Sequence, residues 1–353
     1  MAAAAAINEN FEAGIIDEEE FLILGQIAEE EAEEDEDLDL VGINGPLHRM
    51  WDRFNFESWT DADCWTDVRF RKVDIERLCN VFDLEPEMLT YNRVRFTAVE
   101  GLCLLLRRLA FPCRYFDLQP KFGRPRAVLC VIFNHMLSLL YDRYKHLLTS
   151  FNQNWLSRDN LKLFCEKIHS KGAPLQNCWG FIDGTLRPIA RPGVNQKVMY
   201  NGHKRLHGFK FQSITAPNGL IANFFGPLEG SRHDSFLLAQ SGIMNLLEQH
   251  SFGPGGEVLC IYGDPAYPLS IHLQAGFRNA ADPAEIEYNQ RMSRVRVSVE
   301  WVFGDIIERF RFTDFKKMMK SGLSPVAKQY AVSALLTNAR TCLHGSITST
   351  FFN

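Results

Sequence analysis

The hydrophobic pattern changes period near residue 173, and that change limits what the chain can fold into. Before it, apolar residues recur at helical spacing, as in the stripe Ile75, Leu78, Cys79 and Phe82. Pro86 predicts the opening of a further short helix. Thr97 and Glu100 have the spacing of a capping box for a helix through Leu109, which Pro112 stops. A short helix from Tyr115 to Phe122, a turn at Gly123 and a long helix over about 125–148 follow. Pro125 suits a first helical turn, where its missing N–H would have had no partner. After 173, short apolar runs take over. Residues 178–182 run into Asp183, residues 258–262 lead to Asp264, and 209–215 and 220–225 flank the turn Pro217-Asn218-Gly219 as a hairpin. Helices are expected at about 234–248, 284–309 and 324–344. The pattern predicts an α/β domain with a mixed sheet over 173–353, preceded by an all-α domain over 46–172.

The formal net charge of −5 conceals a split. Residues 1–45 hold fifteen Asp or Glu and no Lys or Arg, so the rest of the chain carries 38 bases against 28 acids. Self-repulsion in the run 29–39, nearly all Glu and Asp, predicts a disordered acidic arm. A basic body points to phosphate-bearing partners. No stretch reaches the ~20 apolar residues of a membrane span, and the N-terminus lacks the basic and apolar regions of a secretory signal. The nine cysteines are odd in number and form no C-x-x-C pair, which suits a reducing compartment and argues against a zinc ribbon or disulfide framework.

Helix, short helix, glycine turn and basic-starting helix over about 97–148 follow the grammar of a helix-turn-helix, whose second helix enters the major groove by its N-terminal end. That end is Arg124-Pro125-Arg126, with Lys121 just before the turn, and 93–126 carries eight bases against two acids. An ordinary corner between helices with solvated arginines would look the same.

Four acids stand out by position. Asp183 and Asp264 close apolar runs, Asp234 opens a helix after Gly230-Ser231-Arg232-His233, and Glu300 edges the helical stripe Val295, Val299, Val302 and Ile306, with Arg296 one turn earlier. Each has a plain structural reading: turn residues for Asp183 and Asp264, an N-cap for Asp234, a surface ion pair for Glu300. Together they can converge on one point, where they would raise one another's pKa unless a divalent cation intervened. Oxygen-only ligands favour Mg²⁺ or Mn²⁺, and two such ions about 4 Å apart serve phosphodiester cleavage or strand transfer. Lys204, Arg205, Lys210 and Arg296 would place positive charge near a scissile phosphate, or else lie on a solvated face. His233 has a water or DNA contact and a structural role as its two readings. Trp179, Trp301 and Phe303 read as core.

The sequence resembles the PIF/Harbinger transposases and their domesticated nuclease relatives over about residues 90–345. The resemblance rests on Phe181-Ile182-Asp183-Gly184-Thr185, Lys204 with 207–212, Gly230-Ser231-Arg232-His233-Asp234-Ser235, Gly263-Asp264-Pro265-Ala266-Tyr267-Pro268 and 294–304. Thirty-five residues separate Asp264 from Glu300, the interval of that family's Asp-Asp-Glu triad. Pro265 departs from the serine or alanine commoner there. The resemblance implies an RNase H-like fold, with Asp183 on the first strand, Asp264 on the fourth and Glu300 on the following helix, all three as catalytic metal ligands. Asp234 would help bind or position a metal. It also implies a DNA-binding helix-turn-helix through Lys121, Arg124 and Arg126, duplex DNA as substrate, nuclear residence, a homo-oligomer and a separate Myb-like DNA-binding partner. The expected function is a metal-dependent DNA endonuclease or transposase. The rival readings are a domesticated DNA-binding protein that does not cut, and a small-molecule hydrolase using the same acids.

Overall fold

The computed structural model describes residues 52–353, so the acidic arm expected over 1–45 lies outside the described residues. The chain divides into two units, one running up to Asp142 and taking in Phe310–Gln329, the other comprising Arg143–Arg309 and Tyr330–Asn353.

Local capping signals set the helices of the first unit. Thr60 and Asp63 form a reciprocal capping box at the start of α1 (Asp61–Val68), and α2 is Lys72–Val81. Thr97 caps α3 (Ala98–Ala110) by accepting from the Glu100 N–H at 3.2 Å. The reciprocal bond expected of Glu100 is not made, because its carboxylate holds Arg124 instead. Pro86 opens no helix. Residues Glu87–Leu89 form β1, which pairs antiparallel with β2 (Arg95–Thr97) and sets Met88 opposite the buried Phe96. Burial of an aromatic ring in a two-stranded ladder outweighs the weak local preference for a helical turn. The expected α4 (Tyr115–Phe122) ends at Gly123, and α5 spans Arg126–Tyr144, with a 3₁₀ turn in place of its predicted last residues. α3 is buried almost all round, including Arg108, whose guanidinium lies 3.6 Å from the Tyr115 ring centroid and donates to the Cys113 carbonyl at 2.6 Å.

The second unit is built on a mixed sheet. Its long strands are β3 (Cys178–Pro188), β5 (Leu206–Thr215), β6 (Ile221–Glu229) and β7 (Cys260–Gly263), with the short β4 (Tyr200–Asn201) and β8 (Leu273–Ala275). The order is β6-β5-β3-β7-β8, with β4 on the start of β5. β5 lies antiparallel to β3 and β6, whereas β7 and β8 continue parallel to β3. The Pro217-Asn218-Gly219 turn makes the expected hairpin, with Gly219 at φ +82°. Asp183 is the sixth residue of β3 rather than its last, because pairing with β5 carries the strand five residues further.

Apolar side chains alternate between the two faces. Ile182, Ile214 and Ile261 meet Phe164 and Cys165 of α6 (Arg158–Ser170) on one face. Phe181, Cys260 and Tyr262 meet Met292, Val295 and Val299 of α10 (Pro283–Arg309) on the other. Because α6 buries its apolar stripe on the sheet, it belongs to the second unit, and the division falls at 142 rather than at 172. The helix expected over 234–248 is two, α8 (Asp234–Ser241) and α9 (Ile243–His250), separated by the left-handed Gly242. The short α7 (Gln196–Met199), α11 (Val326–His344) and α12 (Ile347–Phe352) complete the order.

Gly123 has φ +62°, and a Cβ there would strike the Asp52 carbonyl. Gly123→Ala is expected to lower stability by about 2 kcal/mol through backbone strain and this clash. The urea midpoint of the variant measures it, and an unchanged midpoint would contradict the strained turn.

Candidate active site

Strand register brings two of the acids together. β3 and β7 pair Cys178 with Cys260, and after a one-residue bulge pair Gly180 with Ile261 and Phe181 with Tyr262. Asp183 lies five residues beyond Cys178 and Asp264 four beyond Cys260. The bulge absorbs the difference, so the same register extended two residues beyond the last pair would bring Asp183 level with Asp264 at the ladder spacing of about 5 Å. The Asp183 Oδ1 accepts from the Gly184 N–H at 2.9 Å, and the Asp264 Oδ1 accepts from the Ala266 N–H at 2.9 Å. Each carboxylate keeps one oxygen turned away from the backbone. Pro265 fits this turn because no backbone donor is asked of it.

α10 brings the third acid by way of Arg296. Val295, Val299, Val302 and Ile306 are buried as expected, which fixes the rotation of the helix and leaves Arg296 and Glu300 on its edge. Arg296 Nη1 is 3.3 Å from Asp183 Oδ2, and its Nη2 is 3.2 Å from Glu300 Oε1. A single guanidinium thus bridges two acids that the chain separates by more than a hundred residues. Burial pushes the Asp183 carboxyl up to about 6, against the pull of Arg296 and the Gly184 N–H, and the charges of Asp264 and Glu300 raise it further. Arg296 touches two of these carboxylates, and Asp264 acts on Asp183 through its charge, so one cation stands against three acids.

The donor set is therefore hard oxygen with an unbalanced negative charge, which fits a divalent cation of the Mg²⁺ or Mn²⁺ kind. Among the described residues, no three His, Cys, Asp or Glu side chains already stand close enough to grip an ion together. Arg296 stands between two of the candidate ligands.

Asp234 is placed differently from the other acids. His233 is the N-cap residue of α8 and Asp234 its first residue. The Asp234 Oδ1 accepts from Lys210 Nζ at 2.7 Å, and a Cβ added to Gly184 would lie 2.6 Å from the same oxygen. Neighbouring residues of a strand face opposite sides. Asp234 therefore sits on the sheet face away from Asp183, where it forms an ion pair with Lys210. Lys210 is committed to that pair. The same face holds Tyr267, whose hydroxyl donates to the buried Gln212 at 3.4 Å. A Cβ on Gly263 would come within 2.7 Å of the Tyr267 ring, so glycine before Asp264 lets this ring pack beneath the turn. The sequence shows no role for Tyr267 and Gln212, although both lie within motifs that carry the resemblance.

Lys204 and Arg205 are exposed in the turn between β4 and β5, and His233 is exposed too. Trp179 and Phe303 are buried, and Trp301 stacks edge-on against Phe351 at 5.2 Å, as structural residues do. In the first unit the expected basic contacts have internal partners. Lys121 pairs with Asp67 and lies 4.7 Å over the Trp59 ring. Arg124 clamps Glu100 and donates to the Arg95 carbonyl at 2.8 Å. A cation already paired with a carboxylate offers DNA little net charge, and spacing along the chain could not show the pairing. Arg126 is half-buried in the first turn of α5.

Residues 182–338 match a family model described as DDE superfamily endonuclease. The chain is thus similar to a DDE-type endonuclease domain over somewhat less than half of its length. Its match begins one residue before Asp183 and encloses Asp234, Asp264 and Glu300. The curled mixed sheet, with β3 flanked by an antiparallel and a parallel neighbour, is that of an RNase H-like catalytic domain. No curated protein and no solved structure matches the chain. Among the described residues no helix is long and apolar enough to cross a membrane.

Because the Asp183 carboxyl is held above its ordinary 3.8, the folded state keeps a proton that the unfolded chain releases between about pH 4 and 6. Stability from this group falls as pH rises through that window. In EDTA at pH 7.5, Asp183→Asn is expected to be more stable than the wild type by about 2 kcal/mol, with no difference near pH 3.5. Urea unfolding across pH checks this, and a less stable variant at pH 7.5 would contradict it.

Proposed function

We propose that the chain is a Mg²⁺- or Mn²⁺-dependent DNA endonuclease of transposase type, allied to the PIF/Harbinger group, with Asp183, Asp264 and Glu300 as its catalytic carboxylates. The observation that carries the reading is the arrangement around Arg296: its guanidinium spans Asp183 and Glu300, and Asp183, whose carboxyl burial pushes up to about 6, also feels the charge of Asp264. A structural network would have balanced its charges. This one is left negative where a DDE-type domain would need a cation. The intact set of carboxylates favours cutting over the non-cutting DNA-binding reading.

Asp183, Asp264 and Glu300 would hold the cations. Two bound divalent cations would supply the charge that neutralises the carboxylates and the polarisation that makes a water or 3′-hydroxyl nucleophilic. The Gly184 and Ala266 N–H groups orient Asp183 and Asp264 by fixing one oxygen of each. Arg296 holds Asp183 and Glu300 together against their repulsion, and a guanidinium so placed can turn to a phosphate once those acids are neutralised. Tyr267 and the Asp234–Lys210 pair support the turn and strand from behind, so Asp234 acts as a positioning residue. Arg126, Lys204 and Arg205 are the remaining candidates for phosphate contacts, and a Myb-like partner, self-association and nuclear residence belong to the same reading.

Purified protein is expected to nick duplex DNA in Mg²⁺ or Mn²⁺ and not in EDTA. Asp264→Asn should lower nicking by more than about 100-fold, beyond the loss typical of outer-shell changes, while duplex affinity in EDTA stays within about threefold. Nicking by Asp264→Asn at the wild-type rate would sink the triad assignment.

A further inference from the structure

Between Asp183 and Glu229 the chain carries no acid over forty-five residues, yet it carries Arg187, Arg191, Lys197, Lys204, Arg205 and Lys210. In a chain with 43 acids this is the longest reach of one-signed charge outside the N-terminal arm, and its sign is opposite. The fold gathers four of these cations on one device. β3 runs past Asp183 to Pro188, Ile189 still bonds to His207 (N–H to carbonyl, 2.9 Å), and the chain returns through α7 and β4 into β5. Arg191, Lys197, Lys204 and Arg205 are all exposed on it, and among the described residues none is paired with a carboxylate.

The device is built rather than loose. Asn201 accepts from the Lys204 N–H at 2.8 Å and donates to the Gly230 carbonyl at 2.7 Å, which locks the turn that presents Lys204 and Arg205. A Cβ on Gly230 would come 2.5 Å from the carbonyls of Gly208 and Met199, so glycine is what lets the arm seat against β6. Ile189 is fully buried at the base. Four cations without a carboxylate partner, one of them (Arg191) steadied by donating to Gln196 at 2.9 Å, and with no acid interleaved, match the phosphate backbone of a nucleic acid better than a protein surface of mixed sign.

We infer that this arm, residues 189–207, grips the duplex that flanks the scissile phosphate; the inference rests on the nuclease reading above and extends it to a substrate footprint. Ile189 lies six steps along the chain from Asp183 and Arg205 lies two beyond the paired His207, so the tip stands about 20–26 Å from Asp183 at ~3.3 Å per residue. At ~3.4 Å per base pair that is about six to eight base pairs from the cut. The arm thus makes a minimum length of intact duplex on one side part of the substrate.

The test is binding in EDTA, where nothing is cut. The wild type is compared with a triple variant, Lys197→Gln, Lys204→Gln and Arg205→Gln, and with a control triple, Arg158→Gln, Lys167→Gln and Lys171→Gln, on random-sequence duplexes of about 6 to 20 base pairs. Wild type and control should gain affinity as the duplex lengthens past about eight base pairs, and the arm variant should not. On the longest duplex the arm variant should bind about tenfold more weakly, with its log–log salt slope reduced by two to three units at ~0.9 per lost phosphate contact. All three proteins should melt alike, since every changed side chain is exposed apart from the half-buried Lys167, whose partner is the exposed Asn353. The proposal is overturned if the arm variant keeps the wild-type length dependence and slope. It is equally overturned if the control loses as much, or if single strands or an acidic polypeptide bind the wild type as tightly as duplex does. Nicking is a separate readout: an arm effect without nicking sinks only the nuclease reading, and nicking without an arm effect sinks only this one.

Discussion

The second unit depends on the parallel pairing of β3 with β7. One residue of bulge in β3 brings two aspartates, set at unequal distances from paired cysteines, to the same level at the end of the ladder. Without that slip the register would offset them by a residue and turn one to the opposite face. The pairing is held by burial on both sides, with Ile182 and Ile261 packed on one face and Phe181 and Tyr262 on the other. An apolar ladder therefore pins two charges at its own end. The core supplies the force, and the acids ride on it.

The electrostatic cost of that placement shapes the surroundings. Asp183 is mostly buried, and its repulsion by Asp264 and Glu300 adds to the loss of hydration. Arg296 offsets part of this by touching both Asp183 and Glu300. It can do so only because the buried stripe of α10 fixes the rotation of the helix, leaving positions 296 and 300 on one edge. On the far face the Lys210–Asp234 pair is neutral, so it supports the strand without adding to the excess. The site is stable enough to form and still short of positive charge, which is the condition for taking up a cation.

Much of this was legible from residue order, for identifiable reasons. The stripe on α10, the hairpin at Asn218-Gly219 and the caps at Thr97 and Gly123 all depend on neighbours within a few residues, and all stand in the structure. The failures have the opposite character. Pro86 precedes a strand because Met88 meets Phe96 across a ladder. α6 joins the sheet because its apolar face has β3 to cover. Lys121 and Arg124 are tied to Asp67 and Glu100, partners 54 and 24 residues away, and Asp234 is tied to Lys210 at a separation of 24. A basic residue in a basic segment carries no sign, in the sequence, of the distant acid it pairs with.

What the sequence alone determined was the inventory: which runs are strands, which stripe is buried and where the helices are capped. These follow from local sterics and from a period that burial imposes on short segments. What only the tertiary structure decided was who faces whom. Alternation across β3 sent Asp234 to the far side, the bulge levelled Asp183 with Asp264, and the rotation of α10 put Arg296 between two acids. Charges act through space over a few ångströms, and only the folded chain says which residues, far apart in order, come within that range.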